Sequence, residues 1–348
     1  MFFQQFSATL LVIIFLVSTI AIWIAGVKIT KAIDTITTYY NLGEAFGGMF
    51  FLAIVTNLPE IAITVVAAYH HDYDIAVSNL LGGIAIQTFV LVLIDAFGVG
   101  QKAPLTSKGK GPILIIEGIS LIFILTIVMM SKQFSNDVFF FRSTPFEWLI
   151  LLIWLGSIHF ISRLSKKNKV TLTVINDEEN MHHLKSRRRK KIENHQTAII
   201  VFIICAAITL MACWALEESS DLLAKHFNMS GVLFGATFLA LATALPEIST
   251  GIASAKIKDY QMAVSDIFGG NAFLPVLFLA ASLIGGDAIL PSLKPSDMYL
   301  TGLGIILTGI YIIGMVVASK KQFFNLGVDS IIVTVVYIAG VIGLLFLV

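Results

Sequence analysis

The sequence predicts an all-α polytopic membrane protein of about ten transmembrane helices, arranged as two inverted five-helix repeats. Of its 348 residues, 57% are hydrophobic and 13% are charged, and the mean hydropathy is +0.89. A soluble domain has about 45–50% apolar and about 25% charged residues, so this composition excludes a soluble protein with a single core. The other two observations are the length of the apolar runs and a sequence block that occurs twice.

Each predicted span is an apolar run bounded by charged residues, glycine or proline. A helix needs about 20 such residues to cross the hydrocarbon core, and helices are expected because unpaired backbone groups are costly in lipid. The first run lacks the basic region that begins a signal peptide, so it is interpreted as a membrane helix. The ten runs are 8–27, 45–69, 73–98, 112–130, 146–163, 197–216, 229–255, 260–284, 298–318 and 327–348.

The basic residues predict the orientation of these spans. With the N-terminus outside, 19 of the 23 Lys and Arg residues fall in inside loops, which is the distribution that cytoplasmic loops favour. Ten of these 19 lie between Arg163 and Lys191, in the longest loop and at its start. The predicted organisation is therefore an N-terminal five-helix repeat at 1–163, a basic cytoplasmic loop at 164–196 and a C-terminal five-helix repeat at 197–348.

An internal repeat relates the two halves. Residues 48–86 align without a gap to residues 235–273, a shift of 187 positions, and 18 of the 39 pairs are identical. Both copies contain the pattern T-x-L-P-E. The copies belong to α-repeats at about 45–98 and 229–284, which lie five spans apart and are therefore expected to cross the membrane in opposite senses. Inverted repeats with proline-interrupted helices are typical of secondary transporters.

The repeat places one acid near the middle of an apolar span in each half, Glu60 and Glu247. A charge at that depth is costly, so intramembrane acids are expected to be functional. Together the two carboxylates offer two negative charges and up to four oxygen atoms, which suits one divalent cation, two monovalent cations or two protons. Because the two charges repel each other, protons are expected to compete with metal ions for them.

Threonine and proline add oxygen atoms around these acids. Thr56 and Thr243 lie four residues before the acids on the same helix face, although a membrane threonine can instead bond to its own helix backbone. Pro59 and Pro246 lack an N–H, which leaves carbonyls one turn earlier without their usual partner. An all-oxygen site favours hard cations such as Ca²⁺ or Na⁺ over soft transition metals.

These motifs resemble the α-repeats of the sodium/calcium exchanger family, within the cation/Ca²⁺ exchanger superfamily. The ten spans and the basic loop after the fifth also match that family, but the specific part of the resemblance lies in the two repeats. The resemblance implies that Glu60 and Glu247 bind Ca²⁺ together with oxygen atoms of Thr56 and Thr243. It also implies that the backbone carbonyls of Ala53 and Ala240 serve counter-ion sites.

The sequence departs from the family pattern at several positions. Asn57 and Ala244 replace the serine of the pattern G-T-S-L-P-E, and Gly83 and Gly270 replace a serine in the following helix. Several hydroxyls that would bind Na⁺ are therefore absent, while both acids and both threonines are kept. This indicates a conserved divalent site together with proton coupling or a changed Na⁺ stoichiometry.

Five further polar residues are candidates for ion or proton coupling. The acidic one is either a third carboxylate or a polar group near the cytoplasmic interface. For the amides, an ion contact and a helix–helix hydrogen bond both remain open. The five residues are Asp266, Asn57, Asn79, Gln87 and Asn271.

Other acids at the ends of spans are predicted to be structural. Asp95 and Glu117 lie near cytoplasmic ends, where an interfacial position is expected. Glu217, Glu218 and Asp221 form an acidic stretch at the outer mouth. That stretch is expected to be a solvated rim, with the attraction of cations as the alternative.

The predicted function is a secondary active cation antiporter that exchanges Ca²⁺ for Na⁺ or H⁺ by alternating access, without a cofactor. The alternative is a monovalent Na⁺/H⁺-type exchanger that uses the same two glutamates. Its partners are expected to be inorganic cations and the lipid bilayer, as a monomer or a homo-oligomer. The expected location is the plasma membrane, in a multi-pass topology.

Other classes of protein find little support in the sequence. No intramembrane enzyme motif such as H-E-x-x-H or G-x-S-x-G occurs in a suitable context. A formal net charge of +1 gives no basis for nucleic-acid binding. Cys205 and Cys213 suggest neither a disulfide framework nor a metal site.

Overall fold

The computed structural model describes residues 5–39, 54, 56–100, 103–133, 142–172 and 195–347. Within these ranges the fold consists of helices and short turns, apart from one small β-hairpin. Long helices are the expected solution for a chain whose backbone must satisfy its own hydrogen bonds in lipid.

The helices of the first half follow the predicted apolar runs. They are α1 (Ala8–Tyr39), α2 (Leu58–Tyr69), α3 (Tyr73–Ile94), the short α4 (Leu105–Lys108), α5 (Pro112–Ser131) and α6 (Pro145–Leu172). A π-helical turn, Asp95–Val99, extends α3. Both α5 and α6 begin at a proline, which suits a first helical position because the N–H there has no partner within the helix.

The second half begins with α7 and is interrupted more often by turns. Its elements are α7 (His195–His226), α8 (Gly231–Phe234), a π-helical turn (Gly235–Leu239), α9 (Ala240–Thr243), α10 (Leu245–Lys256), α11 (Tyr260–Phe273), a 3₁₀ turn (Leu274–Val276), α12 (Leu277–Gly285), a 3₁₀ turn (Leu290–Ser292), α13 (Pro295–Val317), β1 (Gln322–Phe323), β2 (Leu326–Gly327) and α14 (Val328–Leu344). The two strands pair antiparallel, with Gln322 opposite Gly327.

These helices make the chain an all-α polytopic membrane protein. Seven are long and apolar enough to cross a membrane, and the pair Gly231–Thr243 and Leu245–Lys256, bent by 44°, forms an eighth candidate span. The shorter apolar helices α2 and α14 lie at the two remaining predicted positions. Helix α6 continues to Leu172, past the predicted start of the basic loop, and residues 173–194 of that loop lie outside the described ranges.

The 187-residue shift of the sequence repeat also relates the helices. Helices α1 and α7 are both 32 residues long, and α7 begins 187 residues after α1. Helices α2 and α10 are both 12 residues long and are separated by the same shift. The order of helices therefore repeats with the sequence, while the opposite crossing sense of the two halves stays a prediction.

The helices that follow the T-x-L-P-E pattern form the centre of the bundle. In α3 and in the segment from α11 through α12, 78% of the most apolar stretch is buried, compared with 28% in α1, α6 and α7. Helices α1 and α7 pack along each other. Their exposed apolar side chains, such as Leu16 and Met211, are suited to contact with lipid.

Asp95 connects the end of α3 to two distant segments. Its side chain is fully buried. Its Oδ1 accepts a hydrogen bond from the backbone N–H of Leu105 at 2.7 Å, and its Oδ2 accepts from the N–H of Gly327 at 2.8 Å and the hydroxyl of Ser330 at 2.7 Å. Asp95 therefore lies at the end of α3, but β2 and the start of α14 cover its carboxylate and bury it within the protein.

Asp95→Asn is expected to destabilise the fold measurably. The amide would place an N–H against a donor that the carboxylate now satisfies, and an unsatisfied buried polar group costs about 1–3 kcal/mol. The midpoint of thermal unfolding in detergent should fall clearly. Asp74→Asn is the matched control, because Asp74 pairs with Lys294 at 2.5 Å with both side chains about half exposed, and such pairs contribute about 0–1 kcal/mol. Equal midpoints for the two variants would contradict this account.

Candidate functional site

Both repeated glutamates lie in the first turn of a helix. Helix α2 begins at Leu58 and α10 at Leu245, so each Pro-Glu pair occupies the second and third helical positions. Proline is favoured there because the first N–H groups of a helix lack acceptors. The same N-terminal turns carry the positive end of the helix dipole, which stabilises a negative charge.

The Glu60 carboxyl is completely buried. Its Oε1 accepts a hydrogen bond from Nε2 of Gln87 on α3 at 3.2 Å. The Thr243 hydroxyl from the other repeat also lies beside this carboxyl. Its Oε2 has no hydrogen-bond partner within the described part of the chain. Glu60 is therefore held at one oxygen and leaves the other available to a ligand.

Glu247 is 3% exposed, and neither of its carboxyl oxygens has a hydrogen-bond partner among the described residues. The charged groups that interact with it are the carboxyls of Glu60 and Asp266. Burying a carboxylate without compensating hydrogen bonds is costly. A bound cation or proton would remove that cost. The two glutamates therefore form a site whose negative charge is not balanced by a positive group of the described residues.

Asp266 on α11 lies near Glu247. A third carboxylate of the site would have to lie there. Its Oδ2 accepts from the Thr250 hydroxyl at 3.3 Å, and its Oδ1 is buried without a hydrogen-bond partner. However, within the described ranges no three or more His, Cys, Asp or Glu side chains lie close enough together to hold a metal ion. In this conformation the acids are thus near one another without forming a closed ligand shell.

The neutral oxygen candidates differ in how far they are already engaged. Thr56 is buried just before α2. The Ala240 carbonyl accepts from the Thr243 hydroxyl and from the backbone N–H of Ala244, both at 3.1 Å. A carbonyl has two lone pairs, so Ala240 would have to release one donor to bind an ion. Ala53 lies outside the described residues.

Two of the amide candidates lie on α3, and Gln87 is the one that contacts an acid directly, through Glu60. Asn79 is fully buried, and neither atom of its amide has a hydrogen-bond partner in the described ranges. Asn79 occupies the position in the first repeat that Asp266 occupies in the second. A polar side chain in this state is a good candidate for contact with an ion or a water molecule.

The other two amides make contacts between helices. Asn271 on α11 donates from Nδ2 to the Ile84 carbonyl at 3.3 Å and to the Thr88 hydroxyl at 3.1 Å, which links α11 to α3. The Asn57 amide lies against Gly270, where an added Cβ would come within 3.0 Å of Nδ2. The side chain of Asn57 therefore covers one of the two glycines that replace the family's serines.

Sequence reasoning underestimated the burial of three acids outside the repeat pair. Glu117 was expected to be interfacial, but it is 3% exposed and accepts a hydrogen bond from the Ser265 hydroxyl at 2.8 Å. Glu217 and Glu218 were expected to form a solvated rim, but they are 2% and 8% exposed. Each lies between one and three turns inside the end of a helix, where the sequence gives no sign of which neighbours cover it.

The sequence matches the family described as sodium/calcium exchanger protein over residues 10–164 and 197–347. It is 25% identical over 288 residues to the inner membrane protein YrbG of Escherichia coli (strain K12), which covers 76% of this chain and 83% of that protein. It is 24% identical over 269 residues to the putative antiporter CaxA of Alkalimonas amylolytica, covering 76% and 77% of the two chains.

Two solved structures share the fold over nearly the whole length. Native YfkE superimposes with a TM-score of 0.67 at 15% identity, covering 96% of this chain and 92% of that one. The sodium-calcium exchanger NCX_Mj, soaked with 10 mM Na⁺ and zero Ca²⁺, superimposes with a TM-score of 0.60 at 16% identity, covering 97% and 99%. The likeness therefore extends through both repeats and the helices around them.

Proposed function

Because this chain belongs to the sodium/calcium exchanger protein family, we propose that it is a secondary active antiporter that exchanges Ca²⁺ for Na⁺ or H⁺ across the membrane. The observation that carries the proposal is the pair of buried carboxyls from equivalent positions in the two repeats, Glu60 and Glu247. They interact electrostatically, and neither carboxyl oxygen of Glu247 has a hydrogen-bond partner among the described residues. The family is one of transporters, so no chemical reaction is assigned to the site.

The two glutamates would supply the charge that a divalent cation requires. Ca²⁺ takes six to eight oxygen ligands, so Thr56, Thr243 and backbone carbonyls beside the acids would complete the shell. In this mechanism Ca²⁺ and the counter-ions bind to the same acids in turn. The empty site carries two buried negative charges, which makes crossing without an ion unfavourable and couples the two fluxes.

The residues around the acids favour few Na⁺ ions or protons as counter-ions. Positions 83 and 270 carry glycine, and position 244 carries alanine, so these places offer no side-chain oxygen. Of the five polar candidates, Gln87 contacts Glu60 and Asp266 interacts with Glu247. A monovalent Na⁺/H⁺-type exchanger that uses the same two glutamates is the second candidate, because two carboxylates also suit two monovalent ions.

We further propose that the protein lies in the plasma membrane with its N-terminus outside and the loop 164–196 in the cytoplasm. The support for this orientation is the distribution of basic residues, 19 of 23 in the loops assigned to the inside. Accessibility of a tag at residue 1 to a protease added to intact cells would test it.

A flux assay with two imposed gradients tests the proposed exchange. The full chain would be reconstituted in proteoliposomes, and uptake of ⁴⁵Ca would be compared under a Na⁺ gradient, a pH gradient and no gradient. We expect uptake to depend on at least one gradient and to be absent in the Glu60→Gln variant. Na⁺ uptake driven by a pH gradient, without any Ca²⁺ flux, would replace the proposal with the second candidate.

A further inference from the structure

Glu217 on α7 is a buried acid that the exchange site does not use. Its side chain is 2% exposed, and its Oε2 accepts no hydrogen bond within the described part of the chain. A buried carboxylate without full hydrogen bonding is costly to keep, and acids of this kind within a membrane are candidates for ion pathways. The side chain therefore calls for a functional explanation rather than a structural one.

Helix α7 places Glu217 one turn beyond a residue that packs against the helix of Glu60. Cys213, four residues earlier on the same helix face, is fully buried in a cluster that also contains Ile63 of α2, three residues after Glu60. Four residues advance about 6 Å along a helix axis. Glu217 thus lies about that far beyond Cys213, toward the end of the bundle that carries His70.

The surroundings of Glu217 at that end are predominantly negative. Its carboxyl interacts with Asp72 in the turn between α2 and α3, and with Glu218 and Asp221 on α7. We call these four acids the acidic mouth. Lys225 pairs with Asp221 at 2.5 Å, and the His70 Nδ1 lies 3.9 Å from the Glu217 Oε2.

Asp72, in the turn between α2 and α3, also lies in a strongly negative environment. Burial, and next the nearby carboxylate of Asp221, raises the pKa of Asp72 above its usual value. Lys225 acts in the opposite direction but does not cancel the shift. A field of this sign attracts cations to the opening, and Glu217 is the acid of the mouth that lies deepest by exposure.

We propose that Glu217, at the inner end of the acidic mouth, is a transit site that binds the transported cation on its way to Glu60. A single carboxylate suits transit because it attracts a cation without enclosing it. This agrees with the lack of a three-ligand metal cluster among the described residues. The inference rests on the proposed exchange function. It places Glu217 on the route by which the cation reaches the exchange site from one side of the membrane.

Glu217→Gln tests this role through the concentration dependence of transport. The variant keeps the size of the side chain and removes its charge. Right-side-out and everted membrane vesicles expose opposite faces, and uptake of ⁴⁵Ca would be measured in both. We expect the half-saturating Ca²⁺ concentration to rise by about tenfold, the size of one 1.4 kcal/mol interaction, on one face only. The maximal rate should change by less than about twofold, because the exchange site itself is intact.

Glu218→Gln is the matched control. It removes the same charge from the adjacent position, so an effect of the general field alone would change both variants equally. We expect Glu218→Gln to raise the half-saturating concentration less than Glu217→Gln does, because it weakens the field of the mouth but leaves the transit carboxylate in place. Equal effects in the two variants, equal effects on both faces, or native behaviour of Glu217→Gln would each overturn the proposal.

A second substitution keeps the test decisive if Glu217→Gln does not fold. Glu217→Asp retains the charge but withdraws it by one methylene, so it should raise the half-saturating concentration on the same face by a smaller factor, and no change would refute the role. Failure of the proposed function would give a different result, because the native protein would then show no exchange at all. Native exchange together with an unaffected Glu217 variant would remove this inference alone.

Discussion

Glu60→Gln is expected to reduce Ca²⁺ exchange to background. The glutamine keeps the volume of the side chain and the contact with Gln87, but it removes half of the negative charge from the buried pair. For a bound Ca²⁺, the loss of one of its two carboxylate partners costs about 3–5 kcal/mol, as for other buried ions that lose a partner of opposite charge. This corresponds to roughly a 100-fold or greater loss of affinity. Glu247→Gln should have the same effect, because neither carboxyl oxygen of Glu247 has a hydrogen-bond partner in the described structure and both are available to the ion.

The measurement is initial uptake of ⁴⁵Ca into proteoliposomes at several Ca²⁺ concentrations. Size-exclusion chromatography before reconstitution would show that each variant is folded. Glu218→Gln serves as the control, because it neutralises a buried acid on α7 that does not belong to the exchange site. Exchange near the native rate in either glutamate variant would refute the site assignment.

Gly82→Ala is expected to lower the stability of the bundle clearly. A Cβ at this position of α3 would collide with the backbone and side chain of Ala236 in the π-helical turn. A backbone atom cannot move away as a flexible side chain can. Overpacking of a close contact costs about 1–3 kcal/mol, so the midpoint of thermal unfolding and the yield of monodisperse protein should both fall.

The repeat itself supplies the control for this substitution. Gly269 is the equivalent glycine of the second copy, and an added Cβ there would meet no atom within 4 Å. Gly269→Ala should therefore leave the unfolding midpoint close to that of the native chain. If both alanine variants were equally stable, the close approach of α3 to the π-helical turn would not exist.

The sequence was sufficient to predict most of the helices and the pair of acids. Apolar runs of about 20 residues are unambiguous in a chain of this composition, and the helices lie on the predicted runs. The repeat identified Glu60 and Glu247 because Pro, Glu and Asp kept their register across 187 residues. The family assignment followed from the same motif and was confirmed by the match over 10–164 and 197–347.

Burial near the ends of helices could not be predicted in the same way. Asp95 is covered by Gly327 and Ser330, which lie 232 and 235 positions away along the chain. Glu217 is covered by the turn at His70 and Asp72, which belongs to the other half. Hydrophobic periodicity reports what one helix needs, but it does not identify the distant segment that packs over a helix end.

The roles of the polar candidates were likewise set by contacts that the sequence left open. Gln87 reaches Glu60, whereas Asn271 bonds to the backbone and a hydroxyl of α3. Both are amides within apolar helices, so the sequence pattern does not distinguish them. Only the crossing of α3 and α11 determines which amide faces the acids.

The contact between Asn271 and Ile84 has a consequence for how the two halves could diverge. Shifted by 187 residues, position 84 becomes position 271, so at this crossing a residue meets its own duplicate. The acceptor is the backbone carbonyl of residue 84, so the hydrogen bond at 3.3 Å needs an amide at position 271 but no particular side chain at position 84. Isoleucine in both copies would lack the donor, whereas asparagine in both copies would keep it. The side chain at position 84 was therefore free to diverge without loss of this link between the halves, and the one at position 271 was not.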